Sequence, residues 1–92
     1  MMDSIIVNEE SYRFTNHALT VIAERELSVE WIKTTLAAPE RTEIDKHDPL
    51  LLHVLKRIPE YEQRVLRVVY NYTTTPKRIV TTYFDRGQKN RL

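Results

Sequence analysis

The side chains best equipped for chemistry in this sequence are three histidines, fourteen lysines and arginines, and five tyrosines. An imidazole titrating near ~6.5 can give or take a proton at neutral pH. A guanidinium can clamp a phosphate through two parallel N–H bonds, and a phenol can donate a proton or offer its ring face to a base. Together they suit general acid–base catalysis and the stabilisation of negative charge without a metal. Metal chemistry fits poorly. Cysteine is absent, and the hard-ligand cluster Asp45-Lys46-His47-Asp48 has a lysine in its middle and no second cluster at ligand spacing. A phosphate-cradling glycine loop is excluded, because the single glycine is Gly87, close to the C-terminus. No metal and no nucleotide cofactor is therefore expected.

Where these side chains meet depends on the elements that carry them. Ile5-Ile6-Val7 and Tyr12-Arg13-Phe14 flank the polar Asn8-Glu9-Glu10-Ser11, which predicts a short opening strand or small hairpin. Thr15 or Asn16 can N-cap a helix running through Leu27, with Leu19, Ile22, Ala23 and Leu27 at helical spacing. Ser28 can cap a second helix carrying Trp31, Ile32 and Leu36. Leu27 and Ile32 stand at the two places of a hydrophobic staple, and Pro39 stops the helix. From Glu40 onward the pattern alternates and β-branched and aromatic residues become dense. Strands are predicted over 41–46, 51–58, 64–72 and 78–85, joined by short links that favour an antiparallel meander.

The fold class expected is α+β: a short N-terminal strand and two helices packed on a three- to four-stranded antiparallel sheet. The whole chain, 1–92, reads as one domain with 1–4 and 87–92 as flexible ends. Alternation puts Leu52, Val54, Leu66, Val68, Tyr70, Val80 and Phe84 on one face, ready to be covered by the helices. The opposite parity gathers His53, Arg57, Arg67, Asn71, Thr81, Tyr83 and Asp85 on a half-polar, cationic face, the expected working surface. A slip of one residue would reverse the assignment.

The string Tyr12-Arg13-Phe14-Thr15-Asn16-His17-Ala18-Leu19, followed by Ala23-Glu24-Arg25, Ser28-Val29-Glu30-Trp31 and Leu36-Ala37-Ala38-Pro39, resembles a family of small bacterial proteins of unknown function. Its members show a histidine-alanine pair, an arginine one to two helical turns on, a short second helix ending in proline, and a β-rich tail. The stretches 64–71 and 78–86 are similar to the family's final hairpin. That family is grouped with the RelE/ParE and BrnT toxins, whose active members cleave RNA without a metal. The resemblance thus implies a RelE-like domain that is a toxin-type, metal-independent endoribonuclease or an RNA-binding protein, with RNA and an antitoxin as partners.

Such cleavage needs a base for the 2′-hydroxyl proton, an acid for the departing 5′-oxygen, and cations around the phosphorane. His17 matches the family histidine and is the first candidate base or acid, and Arg25 matches the family arginine and could clamp a phosphate. His53, Arg67 and Tyr83 complete the catalytic set, while Arg57, Arg67, Arg78 and Arg86 are the expected nucleic-acid contacts. Plainer roles stand beside these. His17 can bond nearby backbone or Glu24, Arg25 can pair with a sheet carboxylate such as Asp85, and Trp31 can simply cover the core. His53, Arg57 and Arg67 can form a solvated sheet face, and Tyr12, Tyr61, Tyr70, Tyr72 and Tyr83 are good strand residues in their own right.

Charge is uneven along the chain. Residues 1–50 carry five basic and ten acidic groups and residues 51–92 nine basic and three acidic, so the halves stand at −5 and +6. This polarity can steer a polyanion to one surface or draw the halves together within the fold. The overall charge of +1 departs from the strongly basic character expected of such toxins. The competing expectation is therefore a non-catalytic protein–protein interaction module or homodimer on the same scaffold. No apolar run approaches the ~20 residues that span a bilayer. With an acidic start, Met1-Met2-Asp3, and no cysteine, no membrane association and a cytoplasmic location are expected.

Overall fold

The polar run after Val7 makes a tight turn. Asn8 and Glu9 both take positive φ, 51° and 68°, the backbone twist that suits a two-residue hairpin. Strands β1 (Ser4–Val7) and β2 (Glu10–Phe14) therefore pair antiparallel, with Val7 opposite Glu10. The computed structural model describes residues 3–92. Met1 and Met2, part of the end expected to be flexible, lie outside the described residues.

Helix α1 (Asn16–Arg25) starts where Thr15 accepts a hydrogen bond at 3.1 Å from the Ala18 amide, a cap worth about 1 kcal/mol. It stops where Glu26 turns left-handed at φ 52°, which lets the Glu26 and Leu27 amides reach the Ala23 and Ile22 carbonyls. Helix α2 (Val29–Ala37) follows Ser28, whose side chain makes no capping bond, and ends ahead of Pro39. Leu27 and Ile32 are both buried at the corner between the helices.

Strands β3 (Arg41–Ile44), β4 (Leu51–Ile58), β5 (Arg64–Asn71) and β6 (Lys77–Phe84) form the expected antiparallel meander. The sheet itself departs from expectation. It has six strands rather than three or four and is mixed rather than antiparallel, in the order β1-β2-β6-β5-β4-β3. The opening hairpin joins it through β2, which runs parallel to β6 with Tyr12 opposite Lys77 and Phe14 opposite Ile79. The physical reason is the free edge of β6, whose unpaired amides and carbonyls would otherwise face water in the middle of the molecule. The helices and the meander supply the long crossover that a parallel pair needs.

Both helices lie on one side of the sheet. Val7, Phe14, Ala18, Ile32, Leu36, Val54, Leu66, Val68 and Ile79 build the core between the layers, with Leu52 and Phe84 half-buried at its margin. Ile79 takes the place expected of Val80, because the β5–β6 register slips between Val69 and Tyr70 and leaves Val80 as the extra residue of a bulge. Tyr12 and Tyr70 meet edge to face, 5.4 Å apart at 76°. Burial, helped by Tyr70 and Glu10, pushes the Tyr12 phenol up to about 12.

The other face is not bare. After β6 the chain makes a short 3-10 turn (Arg86–Gln88) and returns across it. Asp85 donates its amide to the Val65 carbonyl, Arg41 bonds the Gln88 side chain, and Arg57 bonds the Leu92 carbonyl. Leu55 and Val65, on this face by parity, are fully buried. No helix of the described residues is long and apolar enough to cross a membrane.

Candidate functional site

The expected working face holds a closed network of charges. Arg67, in the middle of β5, directs Nε and Nη2 to one oxygen of Asp85, at 2.9 and 2.8 Å. Its Nη1 donates to Glu43 at 3.3 Å and to His53 Nδ1 at 2.8 Å. Because Nδ1 accepts, the imidazole proton sits on Nε2, which donates to Asp45 at 2.6 Å. Asp45 also accepts the amides of His47 and Asp48, each at 3.0 Å. The hydrogen bond from His53, reinforced by these amides, holds its carboxyl down to about 2. Burial opposes charge on Arg67, but Asp85, Tyr83 and Glu43 outweigh it and raise the pKa of the guanidinium.

A shallow hollow of about 470 Å³ opens beside this network, lined by Asp45, Lys46, His47, His53 and Arg67 among others. Its central groups are already engaged: both ring nitrogens of His53 are bonded, and each of the three guanidinium nitrogens of Arg67 meets a protein partner. Among the described residues no three imidazoles and carboxylates gather as a metal ion would require.

A different recess has the opposite character. The last turn of α1, the start of β5 and the turn after β6 meet at one end of the domain around a hollow of about 520 Å³. Arg25, Arg64 and Arg86 line it, and none of the three makes a carboxylate ion pair among the described residues. Trp31, Tyr61 and Phe84 supply its aromatic wall. Ring centroids lie 5.1 Å apart for Trp31 and Tyr61, and 4.8 Å for Tyr61 and Phe84. The Arg64 guanidinium rests over Tyr61 and Phe84 at 5.1 and 5.5 Å, which fixes its position through cation–π attraction. Behind the wall, Glu62 and Gln63 both hold positive φ, 57° and 61°, in the turn that delivers Tyr61 and Arg64. Such backbone costs side-chain-bearing residues about 1 kcal/mol or more each.

The expected site residues thus divide. Arg25 and Arg86 come together in the arginine hollow. His53 and Arg67 meet in the closed network, with Tyr83 opposite Arg67 on the neighbouring strand. His17 is exposed on the first turn of α1, in the helical layer, and so lies across the sheet from His53. Arg57 is tied to the chain end, and Arg78 lies beside Arg13 where β6 meets β2. Asp85, offered by the sequence as a partner for Arg25, is held by Arg67 instead. Sequence reasoning missed Arg64 altogether. The available signal was Tyr61 and Arg64 on either side of a turn, a short enough separation for a guanidinium to fold back over the ring.

Residues 14–84 match the model of a family described as a domain of unknown function, DUF4258. The match runs from the end of β2 to the end of β6 and takes in both helices, the aromatic wall, Arg25 and Arg64. No curated protein and no solved structure matches the chain.

Proposed function

This chain belongs to the DUF4258 family of domains of unknown function, and from that premise we propose that it is a RelE-like domain that binds single-stranded RNA in the arginine hollow. The observation that carries the reading is the meeting of Arg25, Arg64 and Arg86, without carboxylate partners among the described residues, beside three aromatic rings. Cations that hold phosphates next to rings that stack bases are the common chemistry of single-strand binding. The strained turn at Glu62 and Gln63 and the basic C-terminal half support it.

Binding is favoured over the toxin-type, metal-independent cleavage that the sequence raised. Strand scission needs a proton carrier beside the phosphate, and both candidate imidazoles lie elsewhere: His17 is on the outer part of α1, and His53 is saturated by Asp45 and Arg67. The test is a labelled single-stranded RNA titrated with protein in EDTA. Binding should weaken with salt at a logarithmic slope of about −0.7 for each phosphate neutralised, and the RNA should be recovered intact. Cleavage that disappears in His17→Ala and Arg67→Ala while both variants remain folded would instead establish the endoribonuclease. Failure to bind at low salt would remove the RNA reading.

A second reading, association with an antitoxin or with a second copy, has its own observation. Ile6 on β1 and Ile44 on β3 are 70% and 63% exposed, and these are the two outer strands of the sheet. Free edges with apolar side chains are sites of strand addition. Light scattering at micromolar concentration separates a monomer from a dimer.

A further inference from the structure

Resting on the RNA reading, we infer that the arginine hollow recognises a terminal phosphomonoester of the nucleic acid rather than the phosphodiesters along its length. Three features of the hollow lead to this. Its cations come from three separate elements and converge on one recess at the end of the domain. A groove that follows a nucleic-acid backbone instead spreads its cations along a track.

The charge balance points the same way. Against the three guanidiniums stand the Glu26 carboxylate, which also lines the hollow, and the C-terminal end of α1. A helix end carries about half a negative charge, so the hollow keeps a net of about +1.5. A phosphodiester brings a single negative charge, whereas a phosphomonoester near pH 7 brings about −1.5 to −2. A diester therefore leaves about +0.5 uncancelled, whereas a monoester at about −1.5 cancels the charge of the recess.

Size agrees. A hollow of about 520 Å³, with an adjoining recess of about 210 Å³ that adds Lys89 and the Asp85 carboxylate held by Arg67, falls within the range of clefts that take a small ligand. One terminal nucleotide would fit, its base against Trp31 and Tyr61 and its phosphate among the arginines. Arg64 is held over two rings before any ligand arrives, so less side-chain freedom is lost on binding.

The experiment uses one short single-stranded RNA in EDTA with a 5′-phosphate, with a 3′-phosphate, or with hydroxyls at both ends, followed by fluorescence anisotropy. One phosphorylated form should bind roughly tenfold more tightly than the hydroxyl-ended RNA near pH 7.5, because the worth of one further charge at contact distance in a recess between bulk water and a protein surface is of this order. No histidine lines the hollow, so the preference should fade towards about pH 5 as the phosphate itself takes up its second proton. Arg25→Gln and Arg86→Gln should abolish the preference. Lys46→Gln removes the same charge outside the hollow and should keep it. Equal affinity for all three RNAs, still weakened by Arg25→Gln, would overturn end recognition and leave RNA binding standing. A preference that survives both arginine variants would also overturn it, by placing the end elsewhere. Displacement by an equal concentration of nucleoside 5′-monophosphate would reassign the hollow to a free nucleotide, and no binding of any RNA would overturn both readings.

Discussion

Arg64 and Arg67 stand three residues apart on the same strand, and their surroundings are opposites. An odd separation on a strand sends them to opposite faces of the sheet. Arg67 is 8% exposed and engages Asp85, Glu43 and His53. Arg64 has no carboxylate partner among the described residues, lies over two rings, and shares an open recess with two more arginines. A charge whose bonds all end within the chain has nothing left for a ligand, and its work is to hold elements together. A charge supported by rings but left without a counter-ion retains most of its electrostatic attraction for something else. Residue type alone would rank the two arginines equally.

The largest effect that tests this contrast is on stability. Arg67→Ala leaves Asp85 and Glu43 facing His53 with no cation between them. Breaking part-buried pairs in this way should cost up to about 3 kcal/mol, read as a fall in the urea midpoint. The Asp85–Arg67 contact also anchors the turn that carries Arg86, so this variant should loosen the C-terminal segment. Arg67→Lys keeps the charge but gives up the planar fork, and should cost about 1–2 kcal/mol on the same measurement. Arg64→Ala should behave in the reverse sense. It forfeits a half-buried cation–π contact of about 1 kcal/mol in stability, yet weakens RNA roughly tenfold and reduces the salt slope by about 0.7. If Arg64→Ala unfolds as readily as Arg67→Ala while RNA binding holds, the division of labour between the two arginines is broken.

How far this division was legible in the sequence follows from the range of the interactions. The Thr15 cap, the stop before Pro39 and the alternation of β4 and β5 depend on neighbours a few residues away, and they came out as read. In β6, by contrast, the bulge at Val80 gave the core place to Ile79. The parity that puts His53, Arg67, Tyr83 and Asp85 on one face also held, because the bulge falls before Thr81 and spares the end of β6. What was not legible is non-local. The parallel pairing of β2 with β6 joins residues more than sixty positions apart, such as Tyr12 and Lys77, and no local pattern encodes it. The arginine hollow is built from the ends of three elements, where Arg25, Arg64 and Arg86 carry no shared periodicity. On the second face the residues were identified correctly, but their mutual saturation was not, because neither the reach of Asp45 to His53 nor the return of the chain after β6 is written in alternation.

The smallest expected effect examines the locked end of the contrast by acid titration. Asp45 has its carboxyl held down to about 2 from an ordinary value of 3.8, first by His53 and then by the amides of His47 and Asp48. Since the folded-state value is the lower one, the unfolded chain takes up the proton first as pH falls. The stabilisation is therefore complete above pH 3.8 and drains away between there and about pH 2. Asp45→Asn cannot ionise, so its stability should fall less steeply than the parent's across that window, measured by chemical denaturation at closely spaced pH values. The guanidiniums of the arginine hollow keep their charge throughout this range, so acid should loosen the network while leaving those cations in place. A parent curve no steeper than that of Asp45→Asn would mean that His53 does not hold the carboxylate. The imidazole would then be free to move protons, and the network would regain the catalytic character that its geometry denies it.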